Sequence, residues 1–135
     1  MRAINEAILH YSATPEGKDF DVEDIRNWHV DGNGWSDVGY HYVIKLDGTI
    51  QEGRPLNKTG AHCKGHNKGS VGICYIGGGI TEGRDTRTEE QKESIIELLK
   101  DLINDHGITK LSGHNQYSSK HCPGFDVPSE YSDLI

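Results

Sequence analysis

The sequence has no apolar run that approaches the roughly 18 residues a transmembrane helix requires. Hydrophobic residues make up only 33% of the chain, so we expect no membrane partner. Basic residues are also scarce, because 14 Lys and Arg stand against 21 Asp and Glu and give a formal net charge of -7. This balance argues against nucleic-acid binding through a basic surface.

Cysteine is too scarce for a disulfide framework, because the chain has three of them, an odd number. Cys74 lies in an apolar run and is typical of a core residue, whereas Cys63 follows His62 in a glycine-rich segment. A single Cys63–Cys74 disulfide stays open at this point. The N-terminal segment has no apolar stretch of the length found in signal peptides, so we expect a protein that is cytoplasmic as synthesised.

Length limits the chain to one domain, because 135 residues can build one hydrophobic core but not two. We therefore expect a single domain over residues 1–135, in a chain without internal repeats. The 17 glycines predict many turns and close backbone approaches.

Helix signals occur twice. Asp21 is placed to cap a short helix that stops in the glycine-rich segment 31–34. Thr88 and Gln91 form a capping box for a second helix over 89–106. Apolar residues recur along the second helix at helical spacing: Ile95, Leu98, Leu99, Leu102 and Ile103.

Short apolar or alternating segments predict the strands. They are 7–11, 40–44, 49–50, 70–76 and 108–112. Asp47-Gly48 predicts a type I′ turn between the second and third of them. The helix over 89–106 then connects two strands that we expect to pair in parallel, as a right-handed βαβ unit. The pattern predicts an α/β fold with a mixed central sheet of about five strands flanked by helices.

The segment 112–126 carries the strongest chemical signal. His114 precedes Cys122 by eight positions, and Lys120 lies between them. Pro123 disfavours the α region for the residue before it, so Cys122 should be extended. Lys120 and Cys122 then share one face of an extended segment, because alternate side chains of a strand point the same way.

An imidazole and a thiolate together are typical zinc ligands, and a catalytic zinc site keeps one position open for water. His10 ends the first predicted strand, and strand ends are where an α/β sheet builds its site. If these ends meet, His10, His114 and Cys122 form a metal site with an open fourth position. The alternative is a surface histidine and a buried, inert cysteine.

Several longer motifs resemble a known family, the zinc-dependent N-acetylmuramoyl-L-alanine amidases of type 2. That family includes amidase-type phage lysozymes and peptidoglycan recognition proteins. The resemblance runs from about residue 10 to residue 126. It rests on motifs that occur in the family's order: HYSATP at 10–15, GWSDVGYHYVI at 34–44, GAHCKGHN at 60–67, VGICYIGG at 71–78 and GHNQYSSKHCPGFD at 113–126.

The resemblance implies zinc on His10, His114 and Cys122, with Tyr40 and Lys120 as catalytic residues. The implied reaction is hydrolysis of the amide between N-acetylmuramic acid and the L-alanine of the peptidoglycan stem peptide. Zinc lowers the pKa of bound water, and the Lys120 ammonium is suited to stabilise the oxyanion. No Asp or Glu occupies a motif position that marks it as the general base.

Two further residues are candidates for substrate binding. His62 resembles the family's loop histidine beside the substrate groove, although an exposed loop histidine is an equal alternative. Trp35 is suited to stack on sugar or peptide, although tryptophan is as often partly buried structure. His41 and His121 alternate away from the predicted site, so we expect each to be exposed to solvent or to lie behind the ligands rather than among them.

Three functions remain open for this sequence. The first is a peptidoglycan-cleaving amidase, which we expect to be a monomer that acts as a phage-type lysin, a secreted effector or a recycling enzyme. The second is a module that binds peptidoglycan without cutting it, but relatives of that kind typically lack the cysteine ligand. The third is a structural zinc domain, which three ligands and an open position disfavour.

Overall fold

Five strands form one mixed sheet in the computed structural model, which describes residues 2–135. In chain order they are β1 (Glu6–Tyr11), β2 (Tyr42–Ile44), β3 (Ile50–Glu52), β4 (Ser70–Tyr75) and β5 (Lys110–Gly113). Their order across the sheet is β3-β2-β4-β1-β5, and the β2–β3 pair is antiparallel while the others are parallel. The predicted α/β fold with a mixed five-stranded sheet is confirmed.

Three α-helices flank the sheet: α1 (Val22–Asn27), α2 (Glu89–His106) and α3 (Val127–Glu130). The predicted caps are present, because Asp21 accepts from the backbone of Asp24 and Thr88 accepts from that of Gln91. A π-helical turn over Trp28–Gly32 follows α1. None of the helices between residues 2 and 135 combines the length and the apolar character needed to cross a bilayer.

One face of the sheet packs against α2. Alternate residues of the strands point toward the helix, which presents one apolar stripe in return. The buried residues of this contact are Ala7, Leu9, Ile44, Val71, Ile73, Tyr75, Leu111, Ile95, Leu98, Leu99 and Leu102. The odd-numbered residues of β1 therefore belong to the core, and the even-numbered ones, including His10, face the other way.

The position of β5 differs from the predicted βαβ unit. β5 runs parallel to β4 but pairs with β1, which lies between them. Ile8 and Leu9 are almost fully buried, as expected for a strand with neighbours on both edges and cover on both faces. Hydrophobic periodicity identifies the buried face of a strand but not which strand pairs with it. The sequence therefore did not predict that β5 pairs with β1.

The hairpin of β2 and β3 is present, but its predicted type I′ turn is wrong. That turn requires positive φ at both central residues. Gly48 donates to the Lys45 carbonyl, so Leu46 and Asp47 are the central residues, and neither has positive φ. Gly48 follows at φ 89°, and the Asp47 carboxylate accepts from the Thr49 N–H at 2.9 Å. The strand also begins later than predicted, so Tyr40 precedes β2.

Candidate metal centre

The three predicted metal ligands converge beyond the carboxyl ends of the parallel strands. His10 lies near the end of β1, and His114 follows β5 directly. Because β1 and β5 are parallel neighbours, their carboxyl ends lie side by side, and the two imidazole centroids are 4.7 Å apart. The Cys122 sulfur completes the group, and the three potential ligand atoms all lie within 4.8 Å of one another.

Cys122 reaches the group from a segment that differs from the predicted extended one. The chain from Tyr117 to Pro123 forms bends and turns, so strand alternation does not apply to Lys120 and Cys122. Backbone contacts fix the cysteine instead. The Asn115 N–H donates to the Cys122 carbonyl at 2.6 Å, and the Tyr11 N–H lies 3.2 Å from its sulfur. An N–H aimed at a sulfur favours the thiolate form.

The electrostatics of the group suit a divalent cation. Burial lowers the pKa of His10 well below its usual value and also lowers that of His114, so both imidazoles stay neutral and keep a lone pair. Burial raises the pKa of the Cys122 thiol to about 12, opposed by the Tyr11 N–H and by the charge of Lys120. A bound metal ion deprotonates a coordinating thiol outright. Two imidazoles and a thiolate are a donor set that fits Zn²⁺ with one position open.

Lys120 lies at the rim of this group. Its side chain is exposed, and its positive charge contributes to the lowered pKa values of both His10 and His114. Lys120 and His114 also line one open cavity of about 430 Å³. The ammonium is therefore close to the predicted ligands while remaining accessible to a molecule in the cavity.

Tyr40 lies on the protein side of the group rather than at the rim. Its ring centroid is 5.1 Å from that of His10, and its phenol lies beside the Cys74 thiol. Burial, followed by the nearby thiols, raises the pKa of Tyr40 well above its usual value, so the phenol remains protonated. A protonated phenol can donate one hydrogen bond and accept another.

Trp35 forms part of the wall of the same cavity. Its side chain is 37% exposed, and its ring lies 4.7 Å from that of His29, centroid to centroid. The His29 Nδ1 in turn accepts from the Gly39 N–H at 2.8 Å. The indole thus packs against His29 on one side and is exposed on the other, where it can stack on a ligand. His62 and Lys64 line the cavity as well.

His62 is not an exposed loop residue, because only 9% of its surface is accessible. Its Nδ1 lies 2.9 Å from Nε2 of His10, and its Nε2 lies 3.2 Å from the Ser70 hydroxyl. Both ring nitrogens are therefore engaged within the protein. The predicted groove contact of His62 stays a prediction, although the residue borders the cavity.

Of the two expected positions, His121 is exposed to solvent, whereas His41 is buried behind the ligand group, with its ring 6.0 Å from that of His62, centroid to centroid. His41 is almost fully buried, accepts from the Gly72 N–H at 3.0 Å and lies 2.8 Å from the Lys58 carbonyl. It precedes β2 in a bend, so the alternation of the hairpin does not govern it. The one sequence signal was Gly72, since glycine inside a strand often marks a close approach.

The three cysteines are free thiols in the structure, and all are buried. Cys74 lies near the carboxyl end of β4, beside the Tyr40 phenol, whereas Cys63 lies in the loop after His62. The disulfide that the sequence left open is therefore not formed.

The comparisons with known proteins agree with this geometry. The N-acetylmuramoyl-L-alanine amidase family matches residues 1–125. The endolysin of Enterobacteria phage T3 is 41% identical over 129 residues, which cover 93% of this chain and 85% of the endolysin. The chain belongs to the N-acetylmuramoyl-L-alanine amidase family. It is accordingly an enzyme, an amidase-type peptidoglycan hydrolase.

Solved structures of this amidase family and of its recognition-protein relatives have the same fold. The N-acetylmuramoyl-L-alanine amidase LysC from Clostridium intestinale URNW is 31% identical with a TM-score of 0.83, over 98% of this chain and 83% of LysC. The ectodomain complex of peptidoglycan recognition proteins LCa and LCx, solved with tracheal cytotoxin, is 30% identical with a TM-score of 0.80. That match covers 96% of this chain and 81% of the recognition protein.

Proposed function

We propose that the protein is a zinc-dependent amidase that cleaves the bond between N-acetylmuramic acid and L-alanine in peptidoglycan. His10, His114 and Cys122 hold the metal in this proposal. The observation that supports it most is the convergence of two neutral imidazoles and one thiol, with ligand atoms within 4.8 Å, beside an open cavity. A structural zinc site is closed by four protein ligands, so three ligands at a cavity favour catalysis.

In this proposal, Lys120, Tyr40 and Trp35 have different roles, which follow from their positions around the metal centre. Zinc, when bound, supplies a Lewis acid and lowers the pKa of water. The Lys120 ammonium borders the cavity beside His114, and in this proposal it stabilises negative charge that develops on the carbonyl oxygen of the substrate. The Tyr40 phenol, kept protonated by burial, orients or relays a proton on the opposite side. Trp35 stacks on the substrate at the cavity wall.

The substrate assignment rests on the relatives. The T3 relative is an endolysin, and a recognition-protein relative is solved with tracheal cytotoxin bound. We infer that peptidoglycan or its muropeptides occupy the cavity, and that the protein acts as a monomer on the cell wall after release from the cytoplasm. Recognition without cleavage is the second candidate, supported by the likeness to the recognition proteins, whereas the Cys122 thiol favours cleavage.

Metal content and product analysis together test this function. We expect the purified protein to bind a single zinc ion and to release free stem peptide from defined peptidoglycan, identified by mass spectrometry. Cys122→Ser should lose both zinc and turnover, because a neutral hydroxyl replaces a thiolate ligand. Cys63→Ser is the matched control for zinc binding, since Cys63 is also buried and borders the same cavity but lies outside the ligand group. Muropeptide binding without any released peptide would favour the recognition function.

A further inference from the structure

A chain of polar contacts runs from the loop before β4 to the metal centre. The Ser70 hydroxyl lies 2.7 Å from the His66 carbonyl and 3.1 Å from that of Asn67. The same hydroxyl lies 3.2 Å from Nε2 of His62, whose Nδ1 lies 2.9 Å from Nε2 of His10. In the two contacts of His62, the distance alone does not say which atom is the donor.

The protons of the chain can be assigned from its far end. A hydroxyl has one proton to donate, and a carbonyl can only accept. The shortest contact of Ser70 is to the His66 carbonyl, so the proton lies there and the hydroxyl oxygen must accept from His62. A neutral imidazole carries a single N–H, which in His62 is therefore on Nε2, facing the Ser70 hydroxyl. Nδ1 of His62 is then an acceptor.

This assignment determines the state of His10. Because Nδ1 of His62 accepts, Nε2 of His10 must donate to it, and the remaining lone pair of His10 is on Nδ1. We propose that His62 and Ser70 are positioning residues that fix the tautomer and ring orientation of His10, so that Nδ1 is the atom offered to the metal. This inference rests on the proposed zinc site. Outer partners of metal-bound histidines commonly have this role.

The loop around His62 is built to hold the ring still. The Asn67 side-chain oxygen accepts from the N–H groups of both His62 and Cys63, each at 2.9 Å. The His62 ring also lies directly on Gly72, where a Cβ atom would stand 2.6 Å from it, and close to Gly60. The backbone contacts, the two ring-nitrogen contacts and the close packing on two glycines therefore restrict the His62 ring to one orientation toward His10.

Nuclear magnetic resonance of the metal-free protein tests the assignment without reference to catalysis. Long-range ¹H–¹⁵N spectra distinguish protonated from unprotonated ring nitrogens. We expect both His62 and His10 to carry their proton on Nε2. In Ser70→Ala, the His62 tautomers should become mixed, because the acceptor for Nε2–H is gone. Finding the proton of His10 on Nδ1 would overturn the proposal, whether or not zinc binds.

Zinc affinity, measured by chelator competition, tests the consequence. His62→Leu should weaken zinc binding about 10–100-fold, a typical loss for an outer partner of a ligand. His62→Asn should recover part of that loss, because its amide oxygen can replace Nδ1 as the acceptor for His10. His106→Asn, at the end of α2 and remote from the site, is the control for losing a histidine.

The competing role for His62 is the substrate contact expected from the sequence. On that role, His62→Leu raises KM for a muropeptide and weakens zinc binding by less than about tenfold. This outcome would overturn the positioning role and leave the proposed amidase function intact. Absence of zinc binding in the unaltered protein would instead overturn the proposed function, while the tautomers would still report on the hydrogen-bond chain. If His62→Leu does not fold, Ser70→Ala carries both measurements.

Discussion

The face of the sheet against α2, called the aliphatic face below, buries mainly hydrocarbon. The opposite face, called the chemical face, has a smaller apolar cluster that includes Val22, Ile25 and Val43, and it also buries imidazoles, a thiol and a hydroxyl. On the first face Leu99 is fully buried without a polar partner. On the second, His10, His62 and Ser70 are joined by hydrogen bonds. Packing dominates the aliphatic face, where Gln91 is a polar exception that donates to the carbonyls of Ile44 and Ile76. On the chemical face, each buried ring nitrogen and hydroxyl needs a particular partner. The larger apolar core and the candidate metal centre therefore lie on opposite faces of one sheet, because successive residues of a strand point to opposite faces.

On the aliphatic face, removing side-chain volume should lower the stability of the fold but leave zinc affinity unchanged. Leu99→Ala should lower the free energy of unfolding by about 2–5 kcal/mol, because it leaves a cavity between α2 and the sheet. Zinc affinity should be unchanged. Ile96→Ala on the exposed side of the same helix is the control, expected to change stability within about 0.5 kcal/mol. Chemical denaturation and chelator competition measure the two quantities, and a loss of zinc affinity in Leu99→Ala would show that the faces are coupled.

The chemical face should lose activity without losing stability when Lys120 is removed. Lys120→Ala should lower kcat by roughly 10²–10³, about 2.7–4 kcal/mol, because an oxyanion stabiliser is lost. Zinc content should be unchanged, since an ammonium has no lone pair to ligate. Exposed Lys58, which lines a different cavity, provides the control as Lys58→Ala. Single-turnover rates decide, and a loss under about tenfold would leave Lys120 without a catalytic role.

The sequence was more informative about the aliphatic face than about the chemical one. The caps at Asp21 and Thr88 and the apolar stripe of α2 are local signals, so they predicted helices correctly. The position of β5 beside β1 depends on pairing between distant segments, which periodicity does not encode.

For the site, residue type and strand ends were enough to choose the three predicted ligands. The sequence did not predict that His41 is buried or that His62 contacts His10. Both features depend on contacts between a loop and a strand that are far apart in the sequence. Gly72 was the only local trace of both contacts. Its missing side chain leaves the space that the His62 ring occupies.

The chemical face should also make stability depend on pH. Burial lowers the pKa of His41 from 6.5 to about 4, so the folded protein keeps it neutral while the unfolded chain protonates it. Keeping His41 neutral therefore costs no stability above pH 6.5. As the pH falls from 6.5 toward 4, the free energy of unfolding decreases by about 3 kcal/mol in total. His41→Asn should reduce the loss of stability over this range, since its amide oxygen can still accept from Gly72. Denaturation of the metal-free protein at several pH values measures this, and an unchanged pH dependence in His41→Asn would contradict it.

The smallest expected effect comes from adding one methyl group on the chemical face, at Gly72 of β4. In Gly72→Ala the new Cβ would stand 2.6 Å from the His62 ring, and that ring cannot turn aside without losing its bonds to His10 and Ser70. We expect a loss of about 1–3 kcal/mol of stability, typical of overpacking, and weaker zinc binding as well. Gly32→Ala is the matched control, because its Cβ would meet nothing within 4 Å. Leu99→Ala should lower stability alone, whereas Gly72→Ala should lower stability and zinc affinity together. If Gly72→Ala lowered stability while zinc affinity and the His10 tautomer stayed unchanged, then His62 would not transmit its position to the metal centre.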